Sequence, residues 1–146
     1  MLRLTWQLRS MLRTQFRSND DQPEATQRKA ACPKENKALV RRLVDEVING
    51  GRLGLVEELF APELAGPVRQ AFTSFRAAFP DWQEEIVDLV AEGDKVAARF
   101  RCSGTFQGEF MGVAPNGRWQ EQEVDEVYFL RVRDGHFVQY WGWRTI

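Results

Sequence analysis

The sequence predicts an α+β domain, with helices grouped first and an antiparallel sheet grouped second. Two features predict it: apolar residues recur at helical spacing of three and four up to Phe79, and at strand spacing of two from Trp82 onward. A third observation sets the scale. The chain has 146 residues, 43% of them apolar, which is enough for one packed core and too few for two.

Each element follows from the residues in order. From Asn36, read as an N-cap, Leu39, Val40, Leu43, Val44, Val47 and Ile48 keep helical spacing until Asn49-Gly50-Gly51 stops them. Arg52 to Phe60 repeats the pattern with Leu53, Val56, Leu59 and Phe60. A third helix is expected over Pro67 to Phe79, where Val68, Phe72, Phe75 and Phe79 form one stripe before Pro80. Trp82 to Ala91 is the first strand, and Glu92-Gly93-Asp94 is its turn. The second strand alternates Val96, Ala98, Phe100 and Cys102 with Ala97, Arg99 and Arg101. Arg118 to Val132 is the third; the Asp134-Gly135 turn leads to the fourth, His136 to Thr145. Glycines at 104, 108, 112 and 117 let such a sheet curl strongly, and a curled sheet closed by helices makes a cone. Nine of the ten phenylalanines and four of the five tryptophans follow residue 35, enough aromatic surface to line a pocket as well as fill a core.

Charge divides the chain in two. Residues 1–17 carry Arg3, Arg9, Arg13 and Arg17 and no acid, with Leu4, Leu8, Leu12 and Phe16 on one helical stripe. Residues 18–35, with Pro23 and Pro33, read as a polar linker, so the domain proper is placed at 36–146. The basic stripe lacks the continuous apolar centre of a secretory signal. Three readings of it stay open: an incidental extension, a partner-binding helix and an interfacial anchor. Residues 1–35 hold seven of the 20 bases and four of the 21 acids, so the body is left at -4 against -1 for the whole chain. There is no basic field for nucleic acid, and no apolar run long enough to insert stably in a membrane.

Cys32 and Cys102 are the only cysteines and His136 the only histidine. A disulfide framework, a thiolate metal cage or a Ser-His-Asp triad is therefore hard to build, and a reducing cytoplasm is the expected location. Cys102 alternates with Phe100 and Ala98 and reads as a buried small hydrophobe. His136, after a tight turn, is expected at the surface, and Arg99 and Arg101 are expected to pair with nearby acids.

The stretch from Asn36 to the C terminus resembles the SnoaL-like polyketide cyclase and ester cyclase family, a branch of the nuclear transport factor 2-like (cystatin-like) superfamily. The resemblance rests on six pieces in register: Asn36-Lys37-Ala38 through Asn49-Gly50-Gly51, Leu59-Phe60-Ala61-Pro62, Ala78-Phe79-Pro80-Asp81, Val90-Ala91-Glu92-Gly93-Asp94-Lys95-Val96-Ala97, Gly104-Thr105-Phe106-Gln107-Gly108-Glu109-Phe110-Met111-Gly112 with Pro115-Asn116-Gly117, and Arg131-Val132-Arg133-Asp134-Gly135 with Tyr140-Trp141. It implies a cone-shaped, strongly curved antiparallel sheet covered by N-terminal helices, and a homodimer or homotetramer. It also implies acid-base aldol closure of a hydrophobic small molecule, with no metal and no organic cofactor.

Departures from the family pattern shape the site expected here. Where relatives carry an Asp-His pair after the Ala-Pro loop, this chain reads Glu63-Leu64-Ala65-Gly66; Phe106 stands where histidine is common, and Asn116 where threonine is usual. Counted from Gly117 the family's catalytic aspartate falls on Glu126, and counted back from Arg131 it falls on Tyr128. Two residues apart on a strand is one face, so either count selects the same wall. An aldol closure needs removal of a proton beside a carbonyl and protonation of the resulting oxygen. One carboxyl group in an apolar cavity serves both steps, and a phenol can donate to an enolate. Ketosteroid isomerase, of the same superfamily, shows that an acid and a tyrosine in such a cone suffice. Glu126 with Tyr128 is the expected catalytic pair, and Phe106, Phe110, Met111, Gln139 and Trp141 are the candidate substrate contacts. A competing reading makes Glu121, Glu123, Asp125 and Glu126 a solvated strand face and the protein a non-catalytic binding or oligomerisation module.

Overall fold

The computed structural model describes residues 32–115 and 124–145. Residues 1–31, with the basic stripe of 1–17, the segment 116–123 with Asn116, Gly117, Glu121 and Glu123, and residue 146 lie outside the described residues.

Helix α1 spans Pro33–Arg42 and continues through wider turns over Leu43–Asn49. A single 3₁₀ turn, Leu53–Leu55, leads into the short α2, Val56–Leu59, and α3 spans Pro62–Ala78. Four strands follow: β1 Gln83–Glu92, β2 Lys95–Ser103, β3 Val124–Arg133 and β4 His136–Thr145. They lie in the order β1-β2-β3-β4, every neighbouring pair antiparallel, so the expected α+β class with a curved antiparallel sheet is what forms. Register shifts between Ile86 and Asp88 and between Arg131 and Val132 mark bulges, which bend a strand and increase its twist.

Two helix starts differ from the sequence reading. Helix α1 begins at Pro33, because a proline at the first helical position gives up no hydrogen bond. Asn36 therefore does not cap it; the side chain is buried, and its Nδ2 donates to the Gly93 carbonyl at 3.1 Å, tying α1 to the β1–β2 turn. Helix α3 begins at Pro62 and runs through Pro67. Its first turn is closed by the Leu64 and Ala65 amides donating to the Ala61 carbonyl at 2.9 and 3.0 Å.

The core is where the helices meet one face of the sheet. Val40, Val44 and Val47 of α1 and Leu59 and Phe60 beyond it pack on Val96, Ala98, Phe100, Leu130, Val132 and Phe137. Burying each larger side chain contributes about 1.5–3 kcal/mol. Phe60 also bridges to Phe137 in parallel, its ring 5.1 Å from the Phe137 ring, and the Ala61 amide donates to the Phe137 carbonyl at 3.0 Å. The first half of the fold is thus fastened to the last strand.

Gly51, at φ +69, ends the wide turns in the left-handed region. A Cβ there would meet the Arg76 guanidinium at 2.7 Å; without one, Arg76 Nη1 donates to the Ile48 carbonyl at 2.8 Å and satisfies the helix end.

Candidate active site

The helix-facing side of the sheet is apolar by alternation, with Val96, Ala98, Phe100 and Cys102 from β2 and Leu130 and Val132 from β3. Glu126 and Tyr128 continue that β3 face. Glu126 is opposite Phe100 and Tyr128 opposite Ala98, so strand geometry alone turns both side chains toward the helices. Glu126 is 1% exposed, whereas its neighbour Asp125 is exposed. The solvated-face reading of the acidic run therefore does not hold for Glu126.

The Tyr128 hydroxyl donates to Glu126 Oε2 at 2.6 Å, a short O–H···O bond. The phenol ring is clasped on several sides. It lies 4.9 Å from the Tyr140 ring, nearly parallel at 17°, and 5.6 Å from Phe100. On β4 it covers Gly142, where any Cβ would overlap the ring. Burial pushes the phenol well above its usual range, and the charges of Tyr140, Glu126 and Glu84, together with the hydrogen bond to Glu126, push the same way. Tyr128 is a neutral donor at physiological pH.

A third polar residue joins them, one that the sequence reading does not single out. Glu84 lies on β1 opposite Cys102, between Trp82 and Ile86 on the alternation that faces the core. An acid at an inward position of an otherwise apolar alternation is the available signal. Trp82 Nε1 donates to Glu84 Oε1 at 3.1 Å. The Glu84 amide donates to Asn49 Oδ1 at 2.8 Å, and Asn49 Nδ2 returns a bond to the Glu84 carbonyl at 2.9 Å. One oxygen of Glu84, one of Glu126 and the Cys102 sulfur all lie within 4.8 Å of one another. Among the described residues these three could gather on one cation, a donor set mixing hard carboxylates with a soft thiol.

Glu84 also lines a cleft, together with Val47, Ile48, Leu53, Phe72, Phe75, Arg76, Phe79 and Trp82. The cleft holds about 30 Å³, room for a water molecule. A drug-sized ligand needs roughly ten times that space or more.

The expected substrate contacts divide between two faces. Phe106 stacks on Phe79 at 5.1 Å, and Phe110 is buried with its ring 5.6 Å from Phe75, so both extend the aromatic wall of α3 beside the cleft. Met111, at φ +51, sits in the tight turn between Phe110 and Val113, whose amides donate to each other's carbonyls at 3.0 Å. Gln139 and Trp141 do not face this side. They pair with Arg131 and Phe129, which point away from Glu126 and Tyr128, and Trp141 stacks on the 43% exposed Phe129 at 5.5 Å. The bulge at Arg131/Val132 shifts the β4 alternation so that Tyr140 is the ring placed over Tyr128.

Four further residues complete the picture. His136 is exposed, its Nδ1 3.0 Å from the Asp134 carbonyl oxygen. Arg99 pairs with Asp88 at 2.7 Å and Arg101 with Glu85 at 3.5 Å, on the outer face. Cys102 is fully buried, and neither cysteine is in a disulfide.

Helices laid on one face of a curved four-stranded meander, with a carboxyl-phenol pair on its inner wall, define an α+β domain of the nuclear transport factor 2-like fold. A profile of the SnoaL-like polyketide cyclase family matches residues 38–144, and the chain belongs to that family. It is 31% identical over 123 residues to aklanonic acid methyl ester cyclase AcmA of Streptomyces galilaeus, covering 75% of this chain and 83% of that one. Among solved structures, AclR of Streptomyces galilaeus, provisionally assigned as a hydroxylase, is 30% identical with a TM-score of 0.67, over 78% of this chain and 77% of that one. A SnoaL-like protein from Jannaschia sp. CCS1 shares the fold at 21% identity and a TM-score of 0.71, over 82% of this chain and 91% of its own.

Proposed function

We propose that the protein is a cyclase or isomerase acting, without cofactor, by acid-base chemistry on a hydrophobic, polyketide-like carbonyl compound, with Glu126 as the acid-base group and Tyr128 assisting. The observation that carries the reading is the 2.6 Å hydrogen bond from the Tyr128 hydroxyl to the buried Glu126 on the inner wall of the sheet. In an aldol closure the Glu126 carboxylate takes the proton beside one carbonyl, and the carbon so activated attacks the second. Tyr128 keeps its proton and can turn it from Glu126 to an enolate oxygen. Family membership and the 31% identity to an ester cyclase support this class of reaction. The small cleft requires the aromatic side chains of α3 to part before a ring system enters.

The test uses aklanonic acid methyl ester, the compound in that relative's name, with ring closure followed by chromatography and mass. Glu126→Gln is expected to lower turnover by about 10²-fold or more. Unchanged turnover removes Glu126 from the mechanism, and a ligand bound and recovered intact after long incubation favours a binding module.

The homo-oligomer belongs to the same proposal. Val90, Ala97, Phe129 and Trp141 pair in sequence across all four strands on the outer face, and this row is where a second copy would pack. No described helix is long and apolar enough to cross a membrane. The buried Cys102 thiol suits a reducing cytoplasm.

A further inference from the structure

We propose that Arg76 is the anion-recognition residue of the cleft, and that the flat hydrophobic compound admitted there carries one carboxylate. The inference rests on the reading of this cleft as the substrate entrance and names the charge of what enters.

Arg76 is set apart by the lack of a counter-charge. Among the described residues Arg42, Arg76, Arg99 and Arg131 are half-buried. Arg42 pairs with Glu46 and Glu58, Arg99 with Asp88 and Asp125, and Arg131 with Asp94. Of these four, Arg76 alone has no carboxylate at ion-pair distance among the described residues. Its guanidinium donates to the Ile48 carbonyl at 2.8 Å, which occupies one of five N–H groups. The side chain lines the cleft beside Val47, Ile48, Leu53, Phe72, Phe75 and Phe79, all apolar. A cation drawn partly out of water into such surroundings is costly until a charge of opposite sign joins it.

The same residues set the chemistry of that charge. A guanidinium is a planar fork of donors, matched by the two oxygens of a carboxylate. Arg76 is the one cation and Glu84 the one acid among the residues lining the cleft, so a monoanion is balanced there and a second negative charge is not. The rings of Phe72, Phe75, Phe79 and Trp82 offer an aromatic wall to a flat apolar body. The cation is also held before anything binds. The Ile48 carbonyl fixes Nη1, and Gly51 leaves room for the rest, since a Cβ there would meet Cζ at 2.7 Å and Nε at 2.9 Å. A side chain already ordered loses less freedom when its ligand arrives. With the carboxylate on Arg76, the body of the ligand runs along the aromatic wall toward Glu84, whose carboxylate comes within 4.8 Å of that of Glu126.

The test compares anthraquinone-2-carboxylate with its methyl ester by isothermal titration calorimetry; the two share a flat body and differ by one charge. The wild type is expected to bind the acid about 10- to 100-fold more tightly than the ester. Arg76→Gln is expected to bring that ratio close to one by weakening the acid alone. Arg76→Lys is expected to keep part of it, because an ammonium retains the charge and loses the fork. The ratio is taken within one protein, so a change in folding from the lost Ile48 bond does not imitate the effect. Equal affinities in the wild type, no binding of either compound, or a ratio unchanged in Arg76→Gln overturns the proposal. Binding is read without turnover: a preference for the acid beside no ring closure in the cyclisation assay upholds the anion site and removes the enzymatic reading, and ring closure beside no preference does the reverse.

Discussion

Asn49 grips Glu84 with both ends of its side-chain amide, accepting from the Glu84 N–H at 2.8 Å and donating to the Glu84 carbonyl at 2.9 Å. The wide turns at the end of α1 put Asn49 against the start of β1, so one side chain sets the spacing between the helix and the strand that carries the inward acid. Asn49→Ala removes both bonds. It is expected to lower stability by about 1–3 kcal/mol in urea unfolding, and a midpoint equal to wild type would show that water replaces the amide without loss.

Tyr128 and Tyr140 are the only tyrosines in the chain, so phenolate absorbance can be read nearly residue by residue. Burial, before any other cause, holds Tyr128 well above the usual phenol range. Its raised value means that the neutral phenol contributes stability fully below about pH 10, lost as pH climbs through the folded value. An absorbance titration is expected to show a step delayed far into alkali or released only on unfolding, and Tyr128→Phe is expected to abolish that step.

The Asp81 carboxylate accepts from the Thr105 hydroxyl at 2.6 Å and from the Thr105 amide at 2.7 Å, pinning the segment after β2 to the entry of β1. These bonds, the hydroxyl first, hold Asp81 below its usual range. A lowered carboxylate gives stability that is present above the unfolded value of about 3.9 and disappears as pH falls through the folded one. Asp81→Asn is expected to melt below wild type at pH 7 and to converge with it under acid. A gap independent of pH would assign the effect to shape, not charge.

Phe129, 43% exposed, stands in the middle of the outer apolar row. Phe129→Glu puts a charge where two copies are proposed to meet. Light scattering is expected to report a dimer or tetramer for the wild type and a monomer for the variant. A monomeric wild type ends the proposal of self-association.

Much of this architecture is legible because burial follows spacing. The β2 alternation of Val96, Ala98, Phe100 and Cys102 is buried residue by residue as it reads, and the Asp134-Gly135 turn joins β3 to β4 as expected. Glu126 and Tyr128 share a wall because strand geometry leaves them no alternative. Pro67 misleads because a proline suits a helix start, whereas Pro62 already opens this helix behind Ala61. Gln139 and Trp141 fall on the other face because a bulge adds a residue to β4, and no local composition marks it. Glu84 escapes the sequence for a related reason. Glu126, whose carboxylate comes within 4.8 Å of it, lies 42 positions away, and nothing in single-strand periodicity reports an approach between β1 and β3.

The bridge from Phe60 to Phe137 sets an order of events on the ribosome. The anchor for the α2–α3 junction lies on the final strand, so the Ala61 amide and the Phe60 ring have no native counterpart until β4 has left the exit tunnel. The β1–β2 hairpin can form as it emerges, yet the hydrophobic interior stays open to solvent and to chaperones until β4 arrives.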